Sequence, residues 1–470
     1  MGKIRVYNLG ALNLKVSPLL HKDGELIRSL NVERDSVGAL RKRSGYITYL
    51  GTPNNLTNTS LNNFTLNNGT QFWNYMTTGG TMYYSTQGTG AWTLCGNGTM
   101  TAGAVIGQAI QNNTMIIGDG TANTRHTTSG TSFTDTTAAP KSPNWAVFQN
   151  RAYAGTGNVL TYSVTNDVTN WSTSGTSDSS SVNIPGAGAI NSVFTANDRV
   201  VVNKNSQLMS RWDGFSLVQI PTTKGLSSPQ SLAAVEDFFF YLNRDGFFAY
   251  NGDRPQLISN PIERQIYNEA GLGIIGTTFD NAPAVVHKYK YLASIGTVTD
   301  DLTMGTIPNA IAVYDYSYNE WGNWQFANRP YSWLSFKDNM GSQSLIFGGA
   351  GGQCFQMAGT ATTDAGSTIE SLVEGVLTFG SPESDKKFNS IWAITNPGCQ
   401  AKIQVAVAST FTSGKLNWID LKSTSDGVME AHFPAGAQGK LLFWKLYEAS
   451  RNARWKLYGF TVDADIEDKK

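Results

Sequence analysis

The sequence has few of the residues that form disulfide frameworks and metal centres. Its 470 residues include three cysteines, far apart and without a CxxC pair. The four histidines lie in separate regions with no HxH or HExxH spacing. We therefore expect no disulfide framework, no zinc site, no histidine base and no bound cofactor. These residues are Cys95, Cys354, Cys399, His21, His126, His287 and His432.

Charge and long apolar segments are also scarce. Charged residues make up 15% of the chain and the formal net charge is zero, which gives no electrostatic reason to expect a bare nucleic-acid binder or a polybasic membrane anchor. The first 16 residues, MGKIRVYNLGALNLKV, hold no apolar core of signal-peptide length. No run of about 20 apolar residues occurs anywhere. We expect a soluble product of the cytoplasm without stable membrane insertion.

What the sequence does contain is turn-rich and β-type. There are 48 glycines, and Gly and Asn supply the positive φ that tight hairpins need. One unit recurs along the chain. It begins with a run of aromatic and β-branched residues, continues with a Gly/Asn/Asp turn, and closes with a second such run that ends on an aromatic residue. It occurs at residues 146–171, 193–215 and 235–253. Successive small antiparallel sheets of this kind predict an all-β fold with a β-propeller.

The spacing of these units, roughly 40 residues, predicts about seven four-stranded blades within a propeller at residues 51–362. Residues 261–270, PIERQIYNEA, have helical spacing and are expected to connect two blades. From residue 363 to 470 the strands are longer and alternate better, which predicts a separate C-terminal β-sandwich. The predicted blades lie at residues 61–95, 103–136, 143–174, 190–220, 232–260, 282–326 and 332–360.

Residues 1–50 differ from the rest and read as an extended N-terminal arm or lead-in strand. Alternating apolar residues suit a strand that lies along another surface, and such a strand can add to the sheet of a neighbour. The tripeptide Arg41-Lys42-Arg43 is the strongest cluster of one charge, and it indicates either contact with DNA or an acidic partner, or a solvated turn. The candidate assembly contacts are Leu12, Leu14, Val16, Leu19 and Leu20.

Three phrases resemble β-propeller tail proteins of short-tailed bacteriophages, from the tail hub, the nozzle or the virion-stabilising group. The first spans residues 8–46, with Gly10, Asn13, Ser17-Pro18-Leu19, Gly24-Glu25, Leu30-Asn31-Val32 and Arg43-Ser44-Gly45-Tyr46 at the matching positions. The second holds Asn150, Arg151, Tyr162, Ser163, Asp167 and Trp171. The third is the pair LTFGSPESDKKFNSIWA and WKLYGFTVD. The polar region 52–140 departs from the family's pattern.

The resemblance implies a structural, non-enzymatic protein of the virion tail, assembled in the host cytoplasm. It would form a ring around the DNA-ejection conduit, a hexamer by analogy with nozzles or a dodecamer if it sits on the portal. The implied partners are other copies of the chain, portal or adaptor proteins, fibre or tip proteins, and DNA in transit. The alternatives are a propeller that binds a host receptor or glycan at the tail tip, and a glycan-cleaving propeller.

Several motifs are candidate sites of chemistry. The carboxylates of Asp167, Asp213, Asp245 and Asp253 would suit sugar hydrolysis, but each adjoins Gly or Asn in a turn that Asp favours for structural reasons. The glycine-rich residues 348–354 lack the Lys-Ser/Thr of a phosphate loop and predict a tight turn. Trp321 and Trp324 lie in the densest aromatic cluster, where either blade-core packing or interface contact is expected.

Overall fold

A computed structural model confirms the predicted all-β class, with 55% of the residues in strands and 3% in helices. It describes residues 2–15, 20–86, 91–174, 178–236, 238–266, 273–274, 281–300, 305–337, 341–409, 416–450 and 454–467. Within this part of the chain, no helix is both long enough and apolar enough to cross a membrane.

The N-terminal segment forms six short strands, all of which pair within this chain. They are β1 (Gly2–Tyr7), β2 (Gly10–Leu12), β3 (Glu25–Leu30), β4 (Val32–Arg34), β5 (Leu40–Lys42) and β6 (Tyr46–Thr48).

Five four-stranded sheets follow, each with its strands in sequential antiparallel order. The first blade is β7 (Asn58–Thr65), β8 (Gln71–Thr77), β9 (Thr81–Thr86) and β10 (Thr93–Thr99), and the second is β11 (Gly107–Gln111), β12 (Thr114–Gly118), β13 (Arg125–Thr127) and β14 (Thr134–Asp135). The third is β15 (Trp145–Phe148), β16 (Arg151–Thr156), β17 (Val159–Tyr162) and β18 (Ser180–Asn183). The fourth is β19 (Ile190–Ala196), β20 (Arg199–Lys204), β21 (Met209–Trp212) and β22 (Leu217–Ile220), and the fifth is β23 (Ala233–Val235), β24 (Phe238–Asn243), β25 (Gly246–Tyr250) and β26 (Gln256–Leu257).

The blades form where the sequence supplies a tight hairpin between apolar strands. The turn between β19 and β20 has φ values of 46° at Asn197 and 53° at Asp198, and Asn112 and Asn113 repeat this geometry at 47° and 60° between β11 and β12. Two successive positive φ values match the right-handed twist of a β-hairpin, and Asn and Asp tolerate them.

The connection after the fifth blade contains a short helical piece. A 3-10 turn, Asn260–Ile262, leads into α1 (Glu263–Ile266), which confirms helix there, while residues 267–270 of the predicted helix lie outside the described residues. The next strands are β27 (Gly273–Ile274), β28 (Ala284–His287), β29 (Lys290–Asp300), β30 (Gly305–Asp315) and β31 (Glu320–Gln325).

The last blade is closed by the N-terminal segment. It contains β32 (Ser332–Lys337), β33 (Gln343–Gly348) and β34 (Cys354–Met357), with β6 as its fourth strand, paired through Met357 and Tyr46. The short strands β35 (Thr363–Asp364) and β36 (Ser367–Thr368) extend the sheet. Contacts between β32 and β7 join this blade to the first and close the ring.

Six sheets are thus separate propeller blades, one fewer than the predicted count. The predicted blade at residues 282–326 forms β28 to β31 in up-and-down order, and β28 contacts both β23 and β32. It is not separate because β31 also pairs with β3, at Leu30 and Asn323, and the sheet continues from there into the C-terminal domain.

The C-terminal strands form the predicted β-sandwich. One sheet contains β3, β37, β44, β39 and β40, and the other contains β4, β5, β45, β38, β42 and β41 with β1 and β43 at its margins. The rings of Trp444 and Phe460 meet between the sheets, 5.0 Å apart. The new strands are β37 (Ser371–Leu377), β38 (Asp385–Thr395), β39 (Lys402–Ala408), β40 (Ile419–Asp420), β41 (Lys422–Ser425), β42 (Val428–His432), β43 (Gln438–Gly439), β44 (Leu441–Glu448) and β45 (Lys456–Glu467).

The expectation of an arm at residues 1–50 therefore needs correction. Alternation correctly indicated extended structure, but the partner surface is the chain's own sandwich and last blade. β1 pairs with β45 over six residues, from Gly2 opposite Ala464 to Tyr7 opposite Gly459. The strands are held because each completes a sheet that would otherwise expose unpaired main-chain groups.

Candidate functional site

A cavity lies at the end of the propeller axis where the innermost strands begin. Its volume is about 430 Å³. The strands that open onto it come from blades remote in sequence, because each innermost strand starts beside the axis. Its lining residues are Thr57, Asn58, Thr59, Thr78, Gly103, Val105, Gln230, Asn281, Pro283, Arg329 and Tyr331. We call it the axial cavity.

Arg329 supplies the charge of this lining, whose other members are neutral. Its guanidinium carbon lies 5.2 Å from the centre of the Tyr331 ring, a cation–π arrangement that holds the side chain. No carboxylate of the described residues forms an ion pair with it, and its buried Nε has no hydrogen-bond partner there. The axial cavity thus offers one positive charge among hydroxyl and amide groups.

A second cavity, of about 150 Å³, lies between the sandwich and the last blade. Five basic residues line it: Arg41, Lys42, Arg43, Arg454 and Lys456. Four of these five are paired with carboxylates inside the chain, so most of the positive charge is already neutralised.

The three residues of the basic tripeptide have different environments. Arg41 pairs with Glu33, and 41% of its side chain is exposed. The Lys42 ammonium lies 2.6 Å from a carboxylate oxygen of Glu448, with both side chains buried. Arg43 is also buried. Arg41 therefore stays available for the predicted contact with DNA or a partner, whereas Lys42 and Arg43 serve internal pairing.

Arg43 lies at the joint between propeller and sandwich. Its guanidinium donates to both carboxylate oxygens of Asp364, at 2.9 and 2.6 Å, and its Nε donates to Oδ1 of Asn31 at 2.8 Å. It also donates to the carbonyl of Gln325 and lies 4.6 Å from the Phe326 ring centre. One side chain thus connects β35, the turn between β3 and β4, and the end of β31.

The predicted assembly contacts are divided by burial. Leu12 and Leu14 lie in the main hydrophobic core, which makes them unavailable to a neighbouring subunit. Leu20 is 71% exposed and could still contact one. Val16 and Leu19 lie outside the described residues.

The aromatic pair proposed for an interface is buried. Trp321 stacks on Tyr314 at 4.9 Å and donates from Nε1 to the carbonyl of Ile258 at 2.9 Å. Trp324 stacks on Phe326 at 6.3 Å. Of the two interpretations left open by the sequence, the structure gives core packing for both residues.

Three of the four turn carboxylates, those of Asp167, Asp213 and Asp245, have structural partners. Asp213 accepts hydrogen bonds from the backbone N–H groups of Phe215 and Ser216, and these bonds lower its pKa to about 2. Asp167 accepts from the N–H of Thr169 in the same manner. Within the described ranges, no group of three or more His, Cys, Asp and Glu side chains is placed to hold a metal ion.

No family model matches the chain, and no curated protein matches it. Among solved structures, the computationally designed Ika8 protein is similar at 11% identity and a TM-score of 0.38, covering 66% of this chain and 100% of its own. YCF48 from Cyanidioschyzon merolae is similar at 11% identity and a TM-score of 0.43, covering 67% of this chain and 98% of its own. Neither similarity carries an argument about function.

The residues of the axial cavity were missed by sequence reasoning. They lie in connections between blades and share no motif or regular spacing. Their place in the chain could have indicated them. In any propeller, the residues just before each innermost strand lie close to the axis and therefore close to one another.

Proposed function

We propose that this protein is a non-enzymatic structural subunit of a bacteriophage tail, forming a hub or nozzle ring around the DNA-ejection conduit. The proposal rests on the resemblance of its sequence phrases to tail proteins and on the propeller with its attached sandwich. A hexamer is the favoured order and a dodecamer the alternative. Its partners would be portal or adaptor proteins and fibre or tip proteins, within the virion tail.

The observation that carries the proposal is where the resembling residues meet. Asn31, Arg43 and Tyr46 belong to the N-terminal phrase, and all three lie at the joint between sandwich and propeller. Asn31 donates through Nδ2 to the carbonyl of Glu370, and the Tyr46 hydroxyl bonds to Asn328. Residues that look like a family signature therefore connect the sandwich to the propeller, as a subunit that transmits load between neighbours requires.

The joint also leaves no room for backbone adjustment. A Cβ built at Gly45 would overlap the carbonyl oxygen of Thr363, so the two segments touch through their backbones. Such close approach is a position that glycine alone fills. A fixed angle between the two domains suits closed cyclic assembly, because small angular errors would add around a ring.

The conduit would lie between subunits. The axial cavity, of about 430 Å³, has the dimensions of a small-molecule site, so it does not serve as a passage for a duplex. DNA in transit would instead pass the inner surface of the ring, where the balanced charge of the chain limits retention.

The test is the mass and symmetry of the purified protein in solution. We expect sedimentation velocity across a range of concentrations to show six or twelve copies, and electron microscopy to show matching rotational symmetry. Deleting residues 1–50 is unsuitable, because it would remove strands from both sandwich sheets and the last blade. A monomer at all concentrations, both alone and with the purified portal and tail proteins, would contradict the proposal.

A point variant locates the interface. Leu20→Asp places a charge on an exposed leucine of the N-terminal segment without disturbing the core. Val218→Asp, at a half-exposed valine on the outer strand of the fourth blade, is the matched control. We expect Leu20→Asp to dissociate the ring and Val218→Asp to leave it intact; the same mass for both variants would remove Leu20 from the interface.

A further inference from the structure

We propose that the axial cavity binds a saccharide that carries a carboxylate, with Arg329 as the residue that recognises the charge. This is a ligand site in addition to the structural role, and it does not depend on ring formation. It combines three observations: an arginine without a carboxylate partner, neutral polar groups around it, and a volume suited to one or two sugar rings.

The first observation is that Arg329 lines the axial cavity and lacks, among the described residues, the carboxylate partner that several other arginines of this chain have. Six others form an ion pair with a carboxylate: Arg28, Arg34, Arg41, Arg43, Arg125 and Arg151. Arg329 has no such partner among the described residues, and its Nε is buried without a hydrogen bond. A guanidinium held by an aromatic ring and left without an anion is prepared to accept a planar carboxylate through two parallel hydrogen bonds.

The second observation concerns the neutral lining. The side-chain amides of Gln230 and Asn281 make no hydrogen bond with the rest of the described chain, so their donors and acceptors are available. Thr57 and Thr78 add hydroxyl groups. Sugar hydroxyls both donate and accept, and amides and hydroxyls satisfy both roles. Asn58 is different, since its amide already bonds to the carbonyls of Ser60 and Met76.

The third observation is the combination of size and charge. A volume of about 430 Å³ lies within the range of small-molecule sites. Arg329 is the one charged residue of the lining, so the cavity matches the single charge of a carboxylate. Phosphate and nucleic-acid backbones bind through several cations, which this lining does not offer. The Tyr331 ring adds an apolar face against which a sugar can pack.

The experiment compares two sugars that differ at one group. Galacturonate and galactose share their ring hydroxyls, and galacturonate has a carboxylate in place of the terminal hydroxymethyl. Binding to the full chain is measured by saturation-transfer NMR and calorimetry. We expect galacturonate to bind at least about tenfold more tightly than galactose, because a charge-assisted hydrogen bond contributes at least that factor.

Two variants and a control decide the role of the site. Arg329→Gln should bring galacturonate to the affinity of galactose, and Asn281→Trp, at an exposed lining position, should block both sugars. Arg244→Gln is the control, since Arg244 also lacks a carboxylate partner among the described residues, but it is exposed and lies away from the cavity in the turn between β24 and β25. It should bind like the unmodified chain.

The inference would be overturned if neither sugar binds, if the two sugars bind equally, or if Arg329→Gln retains the preference for galacturonate. Competition by inorganic phosphate at the same affinity would also overturn it, by indicating an unspecific anion site. Thermal unfolding of each variant checks that binding is lost from a folded protein. Because these measurements do not depend on the mass of the assembly, the ring proposal can fail while the ligand site stands, and the reverse.

Discussion

The pair Arg43–Asp364 gives the sharpest test of how the sandwich is fixed to the propeller. In Asp364→Asn the carboxylate loses its charge, and one oxygen is replaced by an amide that points a donor at the guanidinium. Arg43 is fully buried and donates to three further oxygens besides those of Asp364, on Asn31, Ser44 and Gln325, so it cannot turn to water. Leaving a buried charge without its partner costs about 3–5 kcal/mol of unfolding free energy.

The matched control is Arg41→Gln, two residues earlier. Its ion pair with Glu33 involves a side chain that is 41% exposed. Such a pair contributes about 0–1 kcal/mol, so this variant should unfold almost as the parent does. The comparison separates loss of charge in the segment from loss of the buried pair.

The assay is urea unfolding followed by tryptophan fluorescence, together with hydrogen exchange of the backbone amides. Because a chain of this size need not unfold in one step, exchange identifies where stability is lost. For Asp364→Asn we expect faster exchange at Tyr46–Thr48 and Thr363–Asp364, next to the joint. Equal destabilisation by both variants, or a change below about 1 kcal/mol for Asp364→Asn, would refute the reasoning.

Three further predictions concern local features. Lys204 is buried and donates to three backbone carbonyls, so Lys204→Met should lower the free energy of unfolding in urea by about 3 kcal/mol. The control Lys224→Met removes a half-exposed ion pair and should lower it by under about 1 kcal/mol. Equal losses of stability in the two variants would contradict this prediction. Gly45→Ala should cost about 1–3 kcal/mol because its Cβ meets a backbone carbonyl, while Gly51→Ala meets nothing, and calorimetry compares the two. Burial, with nearby lysine charges, lowers the pKa of His287 from 6.5 to about 4, so its contribution is complete above pH 6.5 and is lost as the pH falls toward 4. Between these pH values His287→Gln should lose less stability than the parent, by on the order of 2 kcal/mol, and parallel curves would argue against the assignment.

The propeller could be predicted from local sequence because its contacts are local. The predicted fourth blade, residues 190–220, coincides with β19 to β22, since each strand pairs with the next along the chain through a short Asn- or Gly-containing turn. Predictions of this kind need only alternation and turn chemistry.

The position of the N-terminal segment could not be predicted in this way. Alternation at Leu12 and Leu14 indicated a strand but did not identify the surface that buries it. The ion pair of Arg43 joins residues 321 positions apart, and nothing in the tripeptide distinguishes a buried arginine from a solvated one. Arg329 could not be predicted as a site residue for a related reason. What distinguishes it is that its guanidinium has no carboxylate partner among the described residues, and a sequence does not show which charged residues are paired.

The pairing of β1 with β45 also determines when, during synthesis, the chain can complete its fold. The first strands cannot reach their places until residues 371–467 exist, and the last blade cannot close before β32 to β34 are made. At about 5–20 residues per second, the 321 positions between Arg43 and Asp364 correspond to a wait of roughly 15–65 s. During that time the apolar strand residues at the start of the chain need protection from aggregation. A chain interrupted before β37 lacks the sandwich strands with which β1 and β3 pair, so this topology would keep unfinished copies out of the ring that we propose.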